Sequence, residues 1–180
     1  SSDLVLEAWT DATGRSLYEA FGMSEISTFV SAGPETPVRP GSPGRAQPGR
    51  RIGVLDSEVL EDPQSSPVEL SVGDVGRLAV HRDDPGLMLG YWQRPEETAE
   101  VVRGEWFVSG DLAEVDADGY LTITGRKKDI LVTAGGKNVS PAKLEDSLRS
   151  HPLIAEAVVV GDAKPFIAAL LCLDEEMLPG

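Results

Sequence analysis

Apolar residues recur at helical spacing at the start of the chain, at Leu4, Val5, Ala8, Trp9 and Ala12. Ser2 or Asp3 can cap that helix and Gly14 can end it. Residues 17–21 then read as a short buried strand running into Gly22-Met23-Ser24-Glu25. Between residues 33 and 49, Pro34, Pro37, Pro40, Pro43 and Pro48 alternate with glycines, a composition that excludes regular structure and marks a loop or crossing. A domain or subdomain boundary is expected near residues 33–50.

Short apolar runs at 52–55, 68–72, 77–80, 106–109, 112–115 and 120–124 predict strands, with Gly73-Asp74 and Asp118-Gly119 as hairpin turns. One helix is expected to interrupt them at 95–102. Pro95 suits its first position, and Glu96 and Glu97 suit its positive end. The last third changes character. Gly125-Arg126-Lys127-Lys128-Asp129 forms a basic hinge, followed by a Gly135-Gly136 turn and a helix opened by Ser140-Pro141. Leu144 and Leu148 give that helix a stripe expected to be buried, and two apolar strands follow at 155–160 and 166–173. The fold class is therefore α+β: the end of an α/β subdomain, a small antiparallel barrel-like subdomain, then a hinge and a partial α+β unit.

With 180 residues, 41% of them hydrophobic and 26% charged, the chain suits a folded globular protein. Thirty acidic residues against sixteen basic ones give a net charge of -14, which argues against a nucleic-acid partner or an anionic membrane surface. No run approaches the ~18 apolar residues of a membrane span, and no leader peptide opens the chain, so the expected location is cytoplasmic. Its first residue is Ser1 instead of Met, which points to a piece of something longer. The lone Cys172 excludes an internal disulfide and reads as a small buried hydrophobe.

Several motifs fail on their chemistry. Glu114, Asp116, Asp118 and Gly119 match part of a calcium loop, but Gly125 stands where the bidentate Glu belongs, so a hairpin turn is the better reading. Gly44 and Gly49 mimic phosphate-loop spacing, yet Arg50-Arg51 replaces Lys-Ser/Thr. His81 and His151 lack neighbouring ligand types, and Ser24 lacks the second glycine of a nucleophile elbow.

An ordered series is more specific. Phe21-Gly22-Met23-Ser24-Glu25 precedes Gly76-Arg77-Leu78, Gly90-Tyr91-Trp92 and Pro95-Glu96-Glu97-Thr98, then Trp106-Phe107-Val108-Ser109-Gly110-Asp111-Leu112 and the basic hinge. Taken singly, Phe21 reads as core, Glu25 as an exposed carboxylate at a helix start and Asp111 as a turn residue. As a series, from about residue 17 to residue 173, they resemble the adenylate-forming superfamily of acyl-CoA synthetases, luciferases and adenylation domains.

That resemblance implies an enzyme that activates a carboxylic acid with ATP and Mg²⁺ to an acyl adenylate, then passes the acyl group to CoA. It implies that Phe21 stacks on the adenine, that Gly22 belongs to the nucleotide-binding segment and that Ser24 donates to the α-phosphate. It makes Glu25 the Mg²⁺ ligand and Asp111 the acceptor for the ribose hydroxyls, with Arg126 donating to the ribose. Lys128 falls at the pivot of the small domain, and Gly135 falls beside the pantetheine path of CoA. Glu19 departs from the Asn or Gln common at its place. Residues 1–125 would be the end of the large AMP-binding domain, with the barrel-like part at about 38–125, and residues 126–180 the start of the small domain.

The phosphate loop and the terminal catalytic lysine would lie outside these 180 residues, as missing N-terminal and C-terminal portions of the same enzyme, so the isolated chain is expected to be inactive. A non-catalytic nucleotide-binding or interaction module derived from that family and part of an aryl- or amino-acid adenylation domain are the alternatives. Residues 17–125 look most like the aryl and medium-chain ligases and residues 126–180 like the long-chain branch, which places a seam at the hinge.

Overall fold

The structure is a computed structural model that describes residues 2–174 and Met177, with the side chains of Ser2, Asp3, Leu4 and Asn138 left out. The cap assigned to Ser2 or Asp3, the first apolar position at Leu4 and the ending at Pro179-Gly180 therefore lie outside what is described. The described residues form two compact units, one up to Ile123 and one from Thr124 onward.

The first unit opens with α1 (Ser2–Thr13), which Gly14 ends at φ +67°. Two strands then make a tight hairpin, β1 (Ala20–Met23) and β2 (Ser27–Ser31). The strand expected at residues 17–21 thus begins later and is only half-buried, because β1 is the edge of the sheet. Next come β3 (Gly44–Ala46), β4 (Ile52–Leu55), β5 (Gly76–His81), α2 (Pro95–Val101), β6 (Val102–Arg103), β7 (Trp106–Val115) and β8 (Tyr120–Arg126). They complete an eight-stranded sheet ordered β1-β2-β3-β8-β7-β5-β4, with β6 paired to β7. The barrel-like expectation takes the form of an open, mostly antiparallel sheet.

Alternation explains how both faces of that sheet are covered. Leu78 and Val80 of β5 join Ile26, Phe29, Val30, Ala113 and Leu121 in one buried cluster. Ala79, between them, joins Leu55, Leu60, Trp106 and Val108 in the other.

Three local expectations change. Residues 33–49 do contain regular structure, since β3 bridges β2 and β8. Arg39 fastens this proline-rich stretch by reaching Asp116 at 2.8 Å and Asp118 at 2.6 Å, while its guanidinium lies 3.8 Å above the Tyr120 ring. Residues 68–72 form a single bridge, Leu55 to Glu69, instead of a strand. The runs at 106–109 and 112–115 are one strand, β7, bent by a bulge. Asp116 shapes the β7–β8 turn by accepting the amides of Asp118 and Tyr120, both at 2.9 Å.

The second unit holds the hairpin β9 (Leu131–Val132) and β10 (Asn138–Val139), then α3 (Pro141–Arg149), β11 (Ile154–Val160) and β12 (Ala168–Leu173). Ser140 stands at the helix N-cap, but its hydroxyl donates to the Thr124 carbonyl at 2.9 Å instead of capping. Leu144 is exposed and Leu148 half-buried, against the expected buried stripe. Cys172 is exposed as well, because β12 has every residue exposed in a two-stranded sheet. Among the described residues no helix is long and apolar enough to cross a membrane.

Candidate active site

The β1–β2 hairpin brings four of the expected residues into one short segment. Phe21 is half-buried on β1, edge-on to Phe29 with ring centroids 5.6 Å apart and an interplanar angle of 71°. Gly22 sits at a register shift in the β1–β2 ladder. A Cβ there would meet the Ser27 carbonyl, with Thr28 Cα 2.8 Å away, so the strands can close only on glycine. Ser24 and Glu25 then occupy the turn, Ser24 exposed and Glu25 half-buried. Ser27 leaves the turn at φ +61°, a conformation unusual for a residue with a side chain. Glu19 lies just before β1 with its side chain half-buried, and its carbonyl accepts the Ala32 amide at 2.9 Å.

The loop between β5 and α2 supports this turn. The Met88 amide donates to the Glu25 carbonyl at 2.7 Å, and the Tyr91 hydroxyl donates to Glu25 Oε1 at 2.8 Å. Burial, with the adjacent Glu25 carboxylate second, raises Tyr91 above the ordinary phenol range. The start of the loop is fixed by an ion pair of Arg50 with Asp84, whose side chain is 1% exposed. Asp84 Oδ1 also accepts the Gly86 amide at 2.8 Å. Trp92, next to Tyr91, points outward and is exposed.

Asp111 lies in the middle of β7 at a bulge where the pairing jumps from Ala79↔Val108 to Arg77↔Leu112. Its amide donates to Ser109 Oγ at 3.1 Å. Arg77 grips the same bulge, donating to the Ser109 carbonyl from Nε at 2.9 Å and from Nη2. Burial pulls Arg77 below the ordinary guanidinium range, with Glu61 and Asp111 opposing. Bulges that re-aim a side chain are common beside functional sites.

The remaining candidates lie in the second unit. Gly125 has φ +156°, and a Cβ there would stand 2.9 Å from Ser140 Oγ. Arg126 ends β8 exposed, and Lys128 is exposed in the short 3₁₀ turn Lys127–Asp129. Gly135 is exposed in the β9–β10 turn, with nothing within 4 Å of a Cβ built there. That turn is held by Thr133, whose hydroxyl accepts the Lys137 amide at 3.1 Å, and by the Ala134 amide donating to the Lys164 carbonyl at 2.9 Å.

Sequence reasoning named Tyr91, Arg77 and Ser109 within motifs but gave none a task. The Tyr91–Glu25 contact spans 66 positions, so only folding reveals it. Glu25 is the residue of the turn that could take part in holding a metal. Glu25 offers one carboxylate with Oε1 engaged by Tyr91, and among the described residues no three metal-binding side chains converge. Mg²⁺ is commonly held by one or two carboxylates together with substrate phosphates.

Comparison with known proteins agrees with the resemblance seen in the sequence. Residues 128–178 match the AMP-binding enzyme C-terminal domain family. The chain is 45% identical over 168 residues to the long-chain-fatty-acid–CoA ligase FadD15 of Mycobacterium tuberculosis, covering 93% of this chain and 24% of that protein. It is 36% identical over 159 residues to the long-chain-fatty-acid–CoA ligase of Escherichia coli O157:H7, covering 88% of this chain and 26% of that one. The similarity to the mycobacterial ligase runs over 168 of 180 residues and so extends across residue 126.

Among solved structures, ATP-bound MatB from Rhodopseudomonas palustris superposes with a TM-score of 0.80 at 31% identity, covering 97% of this chain and 34% of that one. The anthranilate CoA ligase AuaEII in complex with anthranoyl-AMP gives a TM-score of 0.76 at 30% identity, with 98% and 32% covered. The chain spans about a quarter of the length of the curated relatives it matches.

Proposed function

We propose that this chain is the nucleotide-side portion of an ATP-dependent, AMP-forming acyl-CoA ligase acting on a fatty acid. The observation that supports it most is the 45% identity to a long-chain-fatty-acid–CoA ligase across 93% of the chain. The site geometry adds that Phe21, Gly22, Ser24 and Glu25 share one hairpin and that Asp111 is carried on a bulge.

In this reading the substrate carboxylate attacks the α-phosphorus of ATP, forming a C–O–P bond as pyrophosphate leaves. The CoA thiolate then attacks the acyl carbonyl and AMP leaves. Phe21 stacks on the adenine while Gly22 keeps the strand close to it. Ser24 donates to the α-phosphate, and Asp111 accepts from the ribose hydroxyls. Glu25 supplies an oxygen to Mg²⁺, which when bound neutralises charge developing on the phosphate oxygens. Arg126 donates to the ribose, Lys128 serves as the pivot residue, and Gly135 leaves room for the pantetheine arm. ATP or AMP, CoA and the acid are the partners, and the location is cytoplasmic.

Isothermal titration of the chain with AMP and Mg²⁺ tests the nucleotide half of the reading. Phe21→Ala is expected to weaken AMP about 5- to 150-fold, the range of one base–aromatic stack. Equal affinity in wild type, Phe21→Ala and Asp111→Ala would remove the site from this hairpin and bulge.

A further inference from the structure

We propose that Tyr91 positions Glu25, an inference that rests on reading Glu25 as the metal-facing carboxylate. The Tyr91 hydroxyl donates to Oε1 at 2.8 Å, and the tyrosine is half-buried. A glutamate in a surface turn has three side-chain torsions, and ordering them costs conformational entropy. A hydrogen bond to the ionised carboxylate is of the strong, charge-assisted kind. One fixed donor on Oε1 selects a rotamer and leaves Oε2 as the oxygen to be offered.

Tyr91 is itself held in place. Its amide donates to Thr98 Oγ1 at 2.9 Å, and the Thr98 hydroxyl donates onward to the Arg94 carbonyl at 2.8 Å. The Arg94 amide closes the loop on the Tyr91 carbonyl at 3.1 Å. Gly90 has φ +149°, and the Thr98 side chain stands 3.1 Å from the place a Cβ would take, so the approach to α2 fits glycine. Met88 of the same loop holds the Glu25 carbonyl. One loop therefore grips the backbone and the side chain of Glu25 together, and α2 is the brace behind that grip.

The test uses the 180-residue chain as wild type, Tyr91→Phe and Glu25→Gln, with Mn²⁺ as a paramagnetic stand-in for Mg²⁺. Free Mn²⁺ is read by electron paramagnetic resonance with and without AMP, metal-free AMP affinity by calorimetry, and the Glu25 rotamer from a crystal structure of Tyr91→Phe. Tyr91→Phe is expected to weaken Mn²⁺ in the presence of AMP about 10- to 150-fold, the scale of one charge-assisted hydrogen bond. Metal-free AMP affinity should be unchanged, and Glu25 should spread over several rotamers.

Wild-type Mn²⁺ affinity with Glu25 still in one rotamer would overturn the proposal, as would an equal loss of AMP affinity with and without metal, the mark of a merely structural tyrosine. The Glu25→Gln arm separates the two layers. Unchanged Mn²⁺ binding in Glu25→Gln sinks the reading of Glu25 itself. Weakened binding there with Tyr91→Phe intact sinks only the role of Tyr91. If the wild type holds no Mn²⁺, the metal reading fails, and the Glu25 rotamer in Tyr91→Phe decides whether the tyrosine orients it.

Discussion

At the scale of single residues, two glycines of the proposed site make opposite predictions. Gly22→Ala would drive a methyl group into the Ser27–Thr28 backbone, which cannot yield without opening the hairpin. The expected loss is about 1–3 kcal/mol, read as a lower urea midpoint with an unchanged slope. Gly135 has open space around it and no left-handed φ, so Gly135→Ala should leave stability within about 0.5 kcal/mol. A midpoint for Gly22→Ala as high as that of Gly135→Ala would contradict the close approach. Asp116 gives a pH prediction. Its carboxyl is held below the usual range, first by the Tyr120 amide, then by the Asp118 amide and by Arg39 and Arg45. A lowered native pKa means a contribution that is present above the unfolded value near pH ~4 and is lost as pH falls through the native one. Asp116→Asn should therefore flatten the loss of stability as pH falls below the unfolded carboxylate value, and an unchanged acid limb would count against the turn geometry. Residue identity was readable in the motif series, whereas partnership was not. Glu25 could be named from Phe21-Gly22-Met23-Ser24-Glu25, but nothing local announces a phenol 66 positions away.

At the scale of elements, apolar runs and turn residues placed most strands, and the errors have physical causes. Residues 106–109 and 112–115 looked separate because Ser109-Gly110-Asp111 interrupts the apolar pattern, yet β7 continues through them as a bulge gripped by Arg77. Residues 68–72 have strand composition but only one bridge to β4, and backbone pairing, not composition, makes a strand. β3 was hidden by its prolines and glycines, and it forms because Gly44 lets the chain pass against Ser31 and Ala32 at φ +120°. The loop that carries Tyr91 offers the test at this scale. Asp84 is buried and pairs with Arg50, whose side chain is 18% exposed, so Asp84→Ala would strand a guanidinium and free the Gly86 amide. Removing one member of such a pair costs about 3–5 kcal/mol when burial is complete and less here, where Arg50 keeps some solvent. The Met88 amide, bonded to the Glu25 carbonyl, should then exchange with deuterium faster than in wild type. Unchanged protection of Met88 would mean that the ion pair does not anchor the loop.

At the scale of the whole chain, the two units differ in how much apolar surface each removes from water. β5 is buried on both faces between two clusters, whereas among the described residues 124–180 the buried apolar side chains are Ala157 and Val159. Val158, Val160, Phe166, Leu170, Leu171 and Leu173 of that second unit are exposed. The apolar strands expected at 155–160 and 166–173 therefore form a sheet with little cover, and Leu144 and Cys172, both expected to be buried, are exposed. Burial contributes about 25 cal/mol per Å² of apolar area, so a unit that hides two small side chains gains far less than one built on Phe29, Leu55, Leu78 and Leu121. Local opening should then cost less in the second unit than in the first. Native-state hydrogen exchange on the full chain is the check: amides of β11 and β12 are expected to exchange through openings of lower free energy than those of β5 and β7. Equal opening free energies across the four strands would show that the chain unfolds as one cooperative body, and that the thin cover over β11 and β12 does not set their stability.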